Sequence, residues 1–406
     1  MSAGLLVAAC GSSGDSTSTT GTGGASPSST SSSSSSGGMA GSGGMAGSGG
    51  MGGMGGMTGS GGMGGGSNCT PFVESAAPAP SPNHLAGVTV STLAGSSTAG
   101  GTDGTGAAAT FNNPVSVAIE AGTGDLIVAE YDPNRLRRVT TAGVVTTVFT
   151  GAGSFNRPFG MAWGPSGNLW VQTDRNTLNQ NGQGAVFRID NLAAPAPVLI
   201  FENDGRSRGL APLSTTMTLF DVDRHYMREL TNPNPPMLNV LAGISMCPGF
   251  ADGTGPAARF EFPIGAAVMS NGDIVVADVG NHAIRRITSA GVVTTVTGTG
   301  SPGWVDGTLA QARFDLPADV DVDAQDRIYV ADRGNASVRR IDIAGDTVVT
   351  LAGDGTQGFA DGAGPMARFY GMEGIAVDAT ANHVYVADGN GGDPQAFHRV
   401  RDISIP

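Results

Sequence analysis

The stretch Ile274–Ile287 reads IVVADVGNHAIRRI, and Ile328–Ile341 repeats it as IYVADRGNASVRRI. Each copy is an apolar run ending in an acid, then a short turn, then an Arg seven residues after the acid. Four pairs share this offset: Glu130 with Arg137, Asp221 with Arg228, Asp278 with Arg285, and Asp332 with Arg339. Blocks that recur at intervals of roughly 45 to 57 residues predict an array of one small structural unit.

The clearest unit, from Pro263 to Val296, predicts four antiparallel strands. An apolar first strand is followed by Asn271-Gly272, which is the strongest two-residue hairpin signal in a sequence. The second strand ends at Asp278, and a turn then leads to a third strand that alternates apolar residues with Arg. A β-branched fourth strand, Val292 to Val296, completes the unit.

Similar units run from Pro114 to Val148, Pro158 to Phe201, Arg208 to Leu241 and Pro317 to Leu351. The last unit begins near Gly371 and ends at Ile405, but it contains only three strands. The segment Val88 to Leu93 matches the outer strands of the other units and is predicted to supply the fourth. The chain is therefore expected to be all-β, a six-bladed β-propeller of four-stranded antiparallel blades whose last blade is closed by an N-terminal strand.

The repeated residues also resemble a known family. Val276-Ala277-Asp278 through Asn281 to Ile287, with Asp-Gly followed by Ala-Arg-Phe and then Pro, are similar to NHL repeats over about residues 88–406. This resemblance implies the propeller fold. It implies no particular activity, because the family includes interaction scaffolds, RNA binders and a few enzymes.

The first fifth of the chain has a different composition. Residues 11 to about 70 are mainly Ser, Gly, Thr, Ala and Met, which cannot form a core, so a disordered tether is expected. Cys10 follows a short apolar run and resembles the lipidated Cys of a bacterial lipoprotein signal. We divide the chain into a signal remnant at 1–9, a linker at 10–85 and a propeller at 86–406.

Charge argues against one class of partner. The chain carries a net charge of −13, and its 21 bases are all Arg. No basic stripe with interleaved aromatic residues is present, and an acidic body repels phosphate backbones, so nucleic acid is not expected as a partner.

Two other cysteines, Cys69 and Cys247, leave two alternatives open. In an oxidising compartment they could form a disulfide that fastens the end of the linker to the folded body. Two unpaired thiols are the other alternative, because the spacing does not define their geometry.

The acid–Arg pairs are interpreted as structural ties between the second and third strands of a blade, since a ligand site would break the symmetry that these pairs keep. Asn134, Asn281 and Asn335 are interpreted as turn residues. Asp-Gly loops follow at 103, 252, 306 and 361, and each is followed by a Phe expected to fill the wedge between blades. Trp304 could either pack or serve as an exposed anchor.

Antiparallel blades place the loop after the fourth strand on the same face as the loop between strands two and three. Most of the irregular loops lie on this face, and such a rim is where a propeller usually binds. The candidate ligand residues there are Tyr131, Arg175, Arg208, His225, Tyr226, His282, Trp304, Arg333 and Asp393, with the loops at 175–184 and 389–395.

The residues at the start of each blade's first strand are expected to line the mouth of the central channel. The resemblance implies that NHL-like lyases carry metal-binding His at inner strands, but this chain has no His at those positions. Asp319 and Glu373 are the acids there, with Arg208 across the ring. They could hold calcium if carbonyls and water supplied further oxygens, but we assign no cofactor, no metal and no catalytic residue.

These observations favour an exported, lipid-anchored, monomeric propeller that acts as a binding scaffold for a protein, peptide or glycan. The anchor would place it in the cell envelope as an outer-membrane lipoprotein facing the periplasm or the cell surface. The alternative is a propeller enzyme of lyase or lactonase type, with chemistry at the channel mouth near Arg208, Asp319 and Glu373.

Overall fold

A computed structural model describes Cys69 and residues 73–153, 155–175, 183–203, 205–213, 216–389 and 397–406. Cys10, Asp393, most of the loop at 175–184 and most of the loop at 389–395 lie outside these residues. In the described part of the chain, no helix is long and apolar enough to cross a membrane.

Six antiparallel sheets form the fold, and each contains four strands that follow one another from the channel outward. Blade 1 contains Pro114–Ile119, Leu126–Glu130, Arg135–Val139 and Val144–Thr150. Blade 2 contains Asn156–Trp163, Leu169–Arg175, Ala185–Ile189 and Val198–Glu202. Blade 3 contains Ser207–Pro212, Met217–Asp221, Tyr226–Pro233 and Pro236–Gly243.

The remaining blades follow the same order. Blade 4 contains Pro263–Val268, Ile274–Asp278, Ala283–Ile287 and Val292–Thr297. Blade 5 contains Pro317–Val322, Ile328–Asp332, Ser337–Asp342 and Thr347–Ala352. Blade 6 contains Gly371–Val377, His383–Gly389, His398–Ser404 and, as its outer strand, Thr89–Ser96.

The ring closes as the sequence predicts. Each innermost strand contacts the innermost strands of both neighbouring blades, including blade 6 with blade 1. Thr89–Ser96 pairs antiparallel with His398–Ser404, from Thr89 opposite Ser404 to Ser96 opposite His398. The six-bladed propeller is therefore confirmed, and its closing strand is slightly longer than the predicted Val88 to Leu93.

The second strand of a blade is buried on both sides. All five residues of Ile274–Asp278 are buried, because this strand packs between the flanking blades. Gly272, with a φ of +84°, turns the chain into this strand at the predicted hairpin.

Four blades carry an additional extended segment outside the fourth strand. Short strands at Gly104–Thr105, Gly253–Thr254 and Gly362–Ala363 pair antiparallel with the outer strands of blades 1, 4 and 6. A single bridge from Gly307 to Val348 does the same in blade 5. Single-turn 3₁₀ helices lie in the connecting loops at Gly106–Ala108, Val222–Arg224, Gly255–Ala257, Val279–Asn281, Arg333–Asn335 and Gly364–Met366.

The acid–Arg pairs are buried inside the blades, as the structural interpretation requires. The side chains of Arg285 and Asp278 are fully buried, with 2.8 Å between Nη1 and Oδ2, and the Arg339–Asp332 and Arg137–Glu130 pairs are equally buried. Arg228 and Asp221 also form an ion pair.

Each fully buried Arg has a second acid from the preceding Asp-Gly loop. Arg285 contacts Asp252 at 2.7 Å, and its Cζ lies 5.2 Å from the Phe260 ring centroid. Arg401 has the same surroundings in blade 6, with Asp388 at 3.0 Å and Asp361 at 2.7 Å. The sequence pattern missed this fifth pair, because the insertion near residue 390 lengthens its offset.

Residues 73–85, which the sequence assigns to the linker, make hydrogen bonds to the propeller. Ser81 N donates to the Trp304 carbonyl, and Leu85 N donates to the Thr350 carbonyl. His84 Nε2 lies 2.8 Å from the Gly353 carbonyl. Cys69 and Cys247 form a disulfide, the first of the two alternatives. The segment is thus held along blades 4 and 5 before it enters the closing strand.

Candidate functional site at the channel mouth

The central channel contains a cavity of about 340 Å³ lined by the first strands of all six blades. Arg208, Asp319 and Glu373 line this cavity, together with Ser116 and Phe159.

Glycine at the mouth reflects close approach of the inner strands. A Cβ on Gly209 would clash with the Ile264 carbonyl, and a Cβ on Gly160 would clash with the Arg208 carbonyl. Larger residues stand at the corresponding places in blades 1 and 5, where Ser116 and Asp319 occur. Blade packing therefore leaves only a few positions at which a functional side chain can enter the channel.

Blade 2 departs from the repeat. Thr173 occupies the position of the acid, and Phe187 occupies the position of the buried Arg, because Phe187 pairs with Val171 as Arg285 pairs with Val276. The acid of this blade is Asp174, one residue later. Since neighbouring residues of a strand point to opposite faces, Asp174 leaves the interior of its blade.

Asp174 instead joins a cluster at the channel mouth. Its carboxylate accepts hydrogen bonds from Arg208 Nε at 3.1 Å and from the Tyr131 hydroxyl at 2.9 Å. Arg208 Cζ lies 4.0 Å from the centroid of Phe159, and Arg157 Cζ lies 5.0 Å from that of Tyr131. We call these five residues, Tyr131, Arg157, Phe159, Asp174 and Arg208, the mouth cluster.

The charges in the mouth cluster are held in place. Burial opposes ionisation of Asp174, but the Arg208 guanidinium outweighs it and holds the pKa of Asp174 below its ordinary value. Burial, and then the Asp174 charge, raise the pKa of Tyr131 to about 12, so its hydroxyl remains a donor.

Arg208 keeps a donor available to the cavity. Its Nε and Nη2 donate to Asp174, while its Nη1 donates to no residue that the structure describes. Because the guanidinium is stacked on Phe159 and fixed by Asp174, Nη1 is oriented before any ligand arrives. Such a group suits a carboxylate, a phosphate or a sugar hydroxyl.

The predicted acids of the mouth are already engaged. Asp319 accepts hydrogen bonds from Val320 N at 2.9 Å and from Ile375 N at 3.0 Å, so it joins blade 5 to blade 6. Burial, partly offset by these donors, raises its pKa to about 8. Glu373 pairs with Arg333 at 2.9 Å. Among the described residues, no group of three or more His, Cys, Asp or Glu could hold a metal ion.

Two histidines predicted as ligand residues lie between blades in the structure. His225 and His282 are buried, and their Nδ1 atoms lie 3.1 Å from the backbone nitrogens of Phe262 and Leu316. Each histidine accepts a hydrogen bond from the residue that precedes the first Pro of the next blade. The Asn134 side-chain oxygen likewise accepts a hydrogen bond from Arg157 N, at 2.8 Å. These side chains fasten one blade to the next.

Three further predicted ligand residues lie elsewhere. Trp304 is buried, donates to Thr350 Oγ1 at 3.1 Å and contacts His84 edge-on, so it packs and is not an exposed anchor. Tyr226 is also buried. Arg175 is half-buried at the end of its strand in blade 2.

Comparison with known proteins agrees with this architecture. A family model of the NHL repeat matches residues 260–287 and 314–341. Human NHL repeat-containing protein 2 is 36% identical over 85 residues, which are 21% of this chain and 12% of that protein. The Arabidopsis thaliana protein SUPPRESSOR OF QUENCHING 1, chloroplastic, is 23% identical over 59% of this chain and 26% of its own length. The chain thus spans about a quarter or less of these relatives.

Solved structures show the same fold. An auxiliary nutrient binding protein from Bacteroides ovatus aligns with a TM-score of 0.61 and 19% identity, over 78% of this chain and 76% of that one. A protein of the same description from Bacteroides thetaiotaomicron aligns with a TM-score of 0.60 and 18% identity, over the same shares. This chain is a six-bladed β-propeller in which two segments, residues 260–287 and 314–341, match the NHL repeat.

Proposed function

We propose that this propeller is a binding protein that takes a segment of a protein, peptide or glycan at the mouth of its central channel. One observation carries the proposal: Arg208, fixed by Asp174 and stacked on Phe159, lines a cavity of about 340 Å³ and does not use Nη1 as a donor to any described residue. The cluster lies where blade 2 abandons the repeated acid–Arg pair, and symmetry-breaking residues on a rigid scaffold are typical of ligand sites.

The fold neighbours support this class of function. Two of the similar structures are auxiliary nutrient binding proteins. An oligosaccharide or peptide taken up as a nutrient offers hydroxyl or carboxylate acceptors for Nη1 and apolar surface for Phe159 and Tyr131.

Binding is tested by presenting the purified chain to oligosaccharide and peptide panels and measuring captured ligand by calorimetry. Arg208→Lys keeps a charge beside Asp174 but loses the planar fork and the stacking. We expect it to weaken binding at least about tenfold. Arg286→Lys, on a half-buried Arg paired with Asp273 away from the channel, is the matched control and should bind as the unchanged chain does. Equal binding by both variants would refute the site.

Export and lipid anchoring through Cys10 complete the proposal, with a place in the outer membrane. Labelled palmitate should be incorporated into the expressed protein. A Cys10→Ala variant that still fractionated with membranes would overturn the anchor.

The lyase or lactonase alternative rests on Asp319, because a pKa of about 8 suits a general acid or base. Its two carboxylate oxygens, however, already accept backbone N–H groups, so we place this function second. Stoichiometric calcium or zinc in the purified protein, lost in Asp319→Ala, would promote it.

A further inference from the structure

Blades 1 and 6 each carry an additional Arg at the start of the third strand. Arg135 lies opposite Glu130 in blade 1, and Arg399 lies opposite Asp388 in blade 6. In each of these blades the buried Arg of the acid–Arg pair follows two residues later, so two guanidinium groups stand beside one acid. The two acids differ by one methylene group, and this difference decides whether the additional Arg has a partner.

The longer acid of blade 1 serves both cations. Glu130 Oε1 accepts a hydrogen bond from Arg135 Nη2 at 3.0 Å, and its Oε2 accepts one from Arg135 Nε at 2.9 Å. The same Oε2 also accepts a hydrogen bond from Arg137 Nη1 at 3.1 Å. The carboxylate therefore neutralises Arg135 through a bidentate pair and still ties Arg137.

The shorter acid of blade 6 serves one cation only. Asp388 Oδ2 accepts a hydrogen bond from Arg401 Nη1 at 3.0 Å, and its Oδ1 accepts one from Tyr370 N at 2.9 Å. The other nearby acid, Asp361, also pairs with Arg401, at 2.7 Å. Within the described chain, Nη1 of Arg399 is buried without a hydrogen-bond partner, and no acid there forms an ion pair with this guanidinium.

The surroundings of Arg399 leave its charge uncompensated. Its side chain is buried, and its Cζ lies 3.8 Å from the ring centroid of Phe359. Because Phe359 is 40% exposed, the guanidinium lies one side chain below the surface. Burial opposes the charge more than Asp388 supports it, so the pKa of Arg399 lies below its ordinary value. Arg nevertheless stays protonated in proteins, and a buried cation without a counter-ion costs free energy until an anion binds.

We propose that Arg399 and Phe359 form a binding site for an organic monocarboxylate. The ligand's carboxylate takes on Arg399 the place that Glu130 takes on Arg135, and its apolar part packs on Phe359. The charges of Asp388 and Asp361 act on Arg399, so they repel a doubly charged phosphate or sulfate more than a singly charged carboxylate. The site uses no residue of the mouth cluster and does not depend on the function proposed there.

The proposal is tested with benzoate, and with benzamide as its uncharged counterpart, in chemical denaturation of the full chain at constant ionic strength. Benzoate should raise the unfolding midpoint and benzamide should not, because a ligand that binds the folded state alone stabilises it. Arg399→Met replaces an unpaired cation by an apolar side chain, so this variant should fold and lose the shift. Arg135→Met in blade 1 is the matched control and should keep it.

A second variant fills the site from within. Asp388→Glu reproduces the acid of blade 1, so its own carboxylate should reach Arg399 and weaken benzoate binding at least about tenfold. A benzoate shift that persists in Arg399→Met, or an equal shift with benzamide, would overturn the proposal. So would a shift that Arg208→Lys alone abolishes, because benzoate would then occupy the channel mouth. A larger shift with sulfate than with benzoate would contradict the assignment to monocarboxylates.

Discussion

Blades 4 and 2 use the same four-stranded frame for different purposes. In blade 4, Asp278 points into the sheet interior and ties Arg285. In blade 2, Thr173 takes that position, and the acid, Asp174, faces the channel mouth and ties Arg208 of the next blade. Moving a carboxylate by one residue along a strand therefore replaces a tie within one blade by a tie to Arg208, which lines the central cavity. The repeated acid–Arg pairs stabilise the blades, and the mouth cluster that replaces such a pair in blade 2 is the candidate ligand site.

Removing the buried ion pair of blade 4 should have the largest effect on the free energy of unfolding. Arg285→Met leaves Asp278 and Asp252 without their cation, and an unpaired buried charge should cost about 3–5 kcal/mol of unfolding free energy in chemical denaturation. The adjacent Arg286→Met is the control. Arg286 is partly exposed, and Asp273 is its only ion-pair partner in the part of the chain that the structure describes, so its loss should cost about 0–1 kcal/mol. Similar losses for both variants would mean that the repeated Arg is not a structural tie.

The disulfide should have the next largest effect. Cys69→Ser frees the end of the segment that packs on Trp304 and Thr350, and it removes a cross-link spanning 178 residues. We expect a loss of about 2–4 kcal/mol in the same denaturation experiment. A reducing agent should destabilise the unchanged chain by a comparable amount and should not affect the Cys69→Ser variant. An unchanged midpoint in both cases would contradict this fastening.

A pH experiment sharpens the contrast between inter-blade ties and ligand residues. Burial lowers the pKa of His225 to about 4, from 6.5. Between these values the unfolded chain binds more protons than the folded one, so stability falls as the pH drops from 6.5 towards 4.

His225→Asn keeps an acceptor for Phe262 N, as Asn134 does for Arg157, and removes the titration. The unchanged chain should lose about 1–3 kcal/mol more than this variant between pH 6.5 and 4, measured by denaturation at each pH. Parallel pH profiles would show that His225 is not held neutral.

The fold could be predicted because its signals are local. Asn271-Gly272 defines a hairpin. In four blades the Arg follows the acid by seven residues, as Arg285 follows Asp278. The pair of Asp388 and Arg401 was not predicted, because an insertion changed the spacing between the two residues, although the structure forms the same ion pair there.

The site was harder to predict because its contacts are long-range. Position on the face that carries the irregular loops does not tell which way a side chain points, and the structure buries His225 and His282 between blades. The burial of Trp304 depends on residues 73–85, which composition assigned to the linker. Asp174 was overlooked, although the missing acid at Thr173 was a usable signal. Arg208 and Tyr131 were found by alignment and face position, but their shared partner was visible only in the structure.

The most direct test of the ligand site is calorimetric titration of the unchanged chain, Arg208→Lys and Arg286→Lys with the ligand found in the panel screen. We predict that Arg208→Lys alone loses binding, by about tenfold or more, while all three proteins unfold at similar midpoints. Undiminished binding by Arg208→Lys, or equal loss in both variants, would contradict the claim that the interruption of the repeat in blade 2 builds the ligand site.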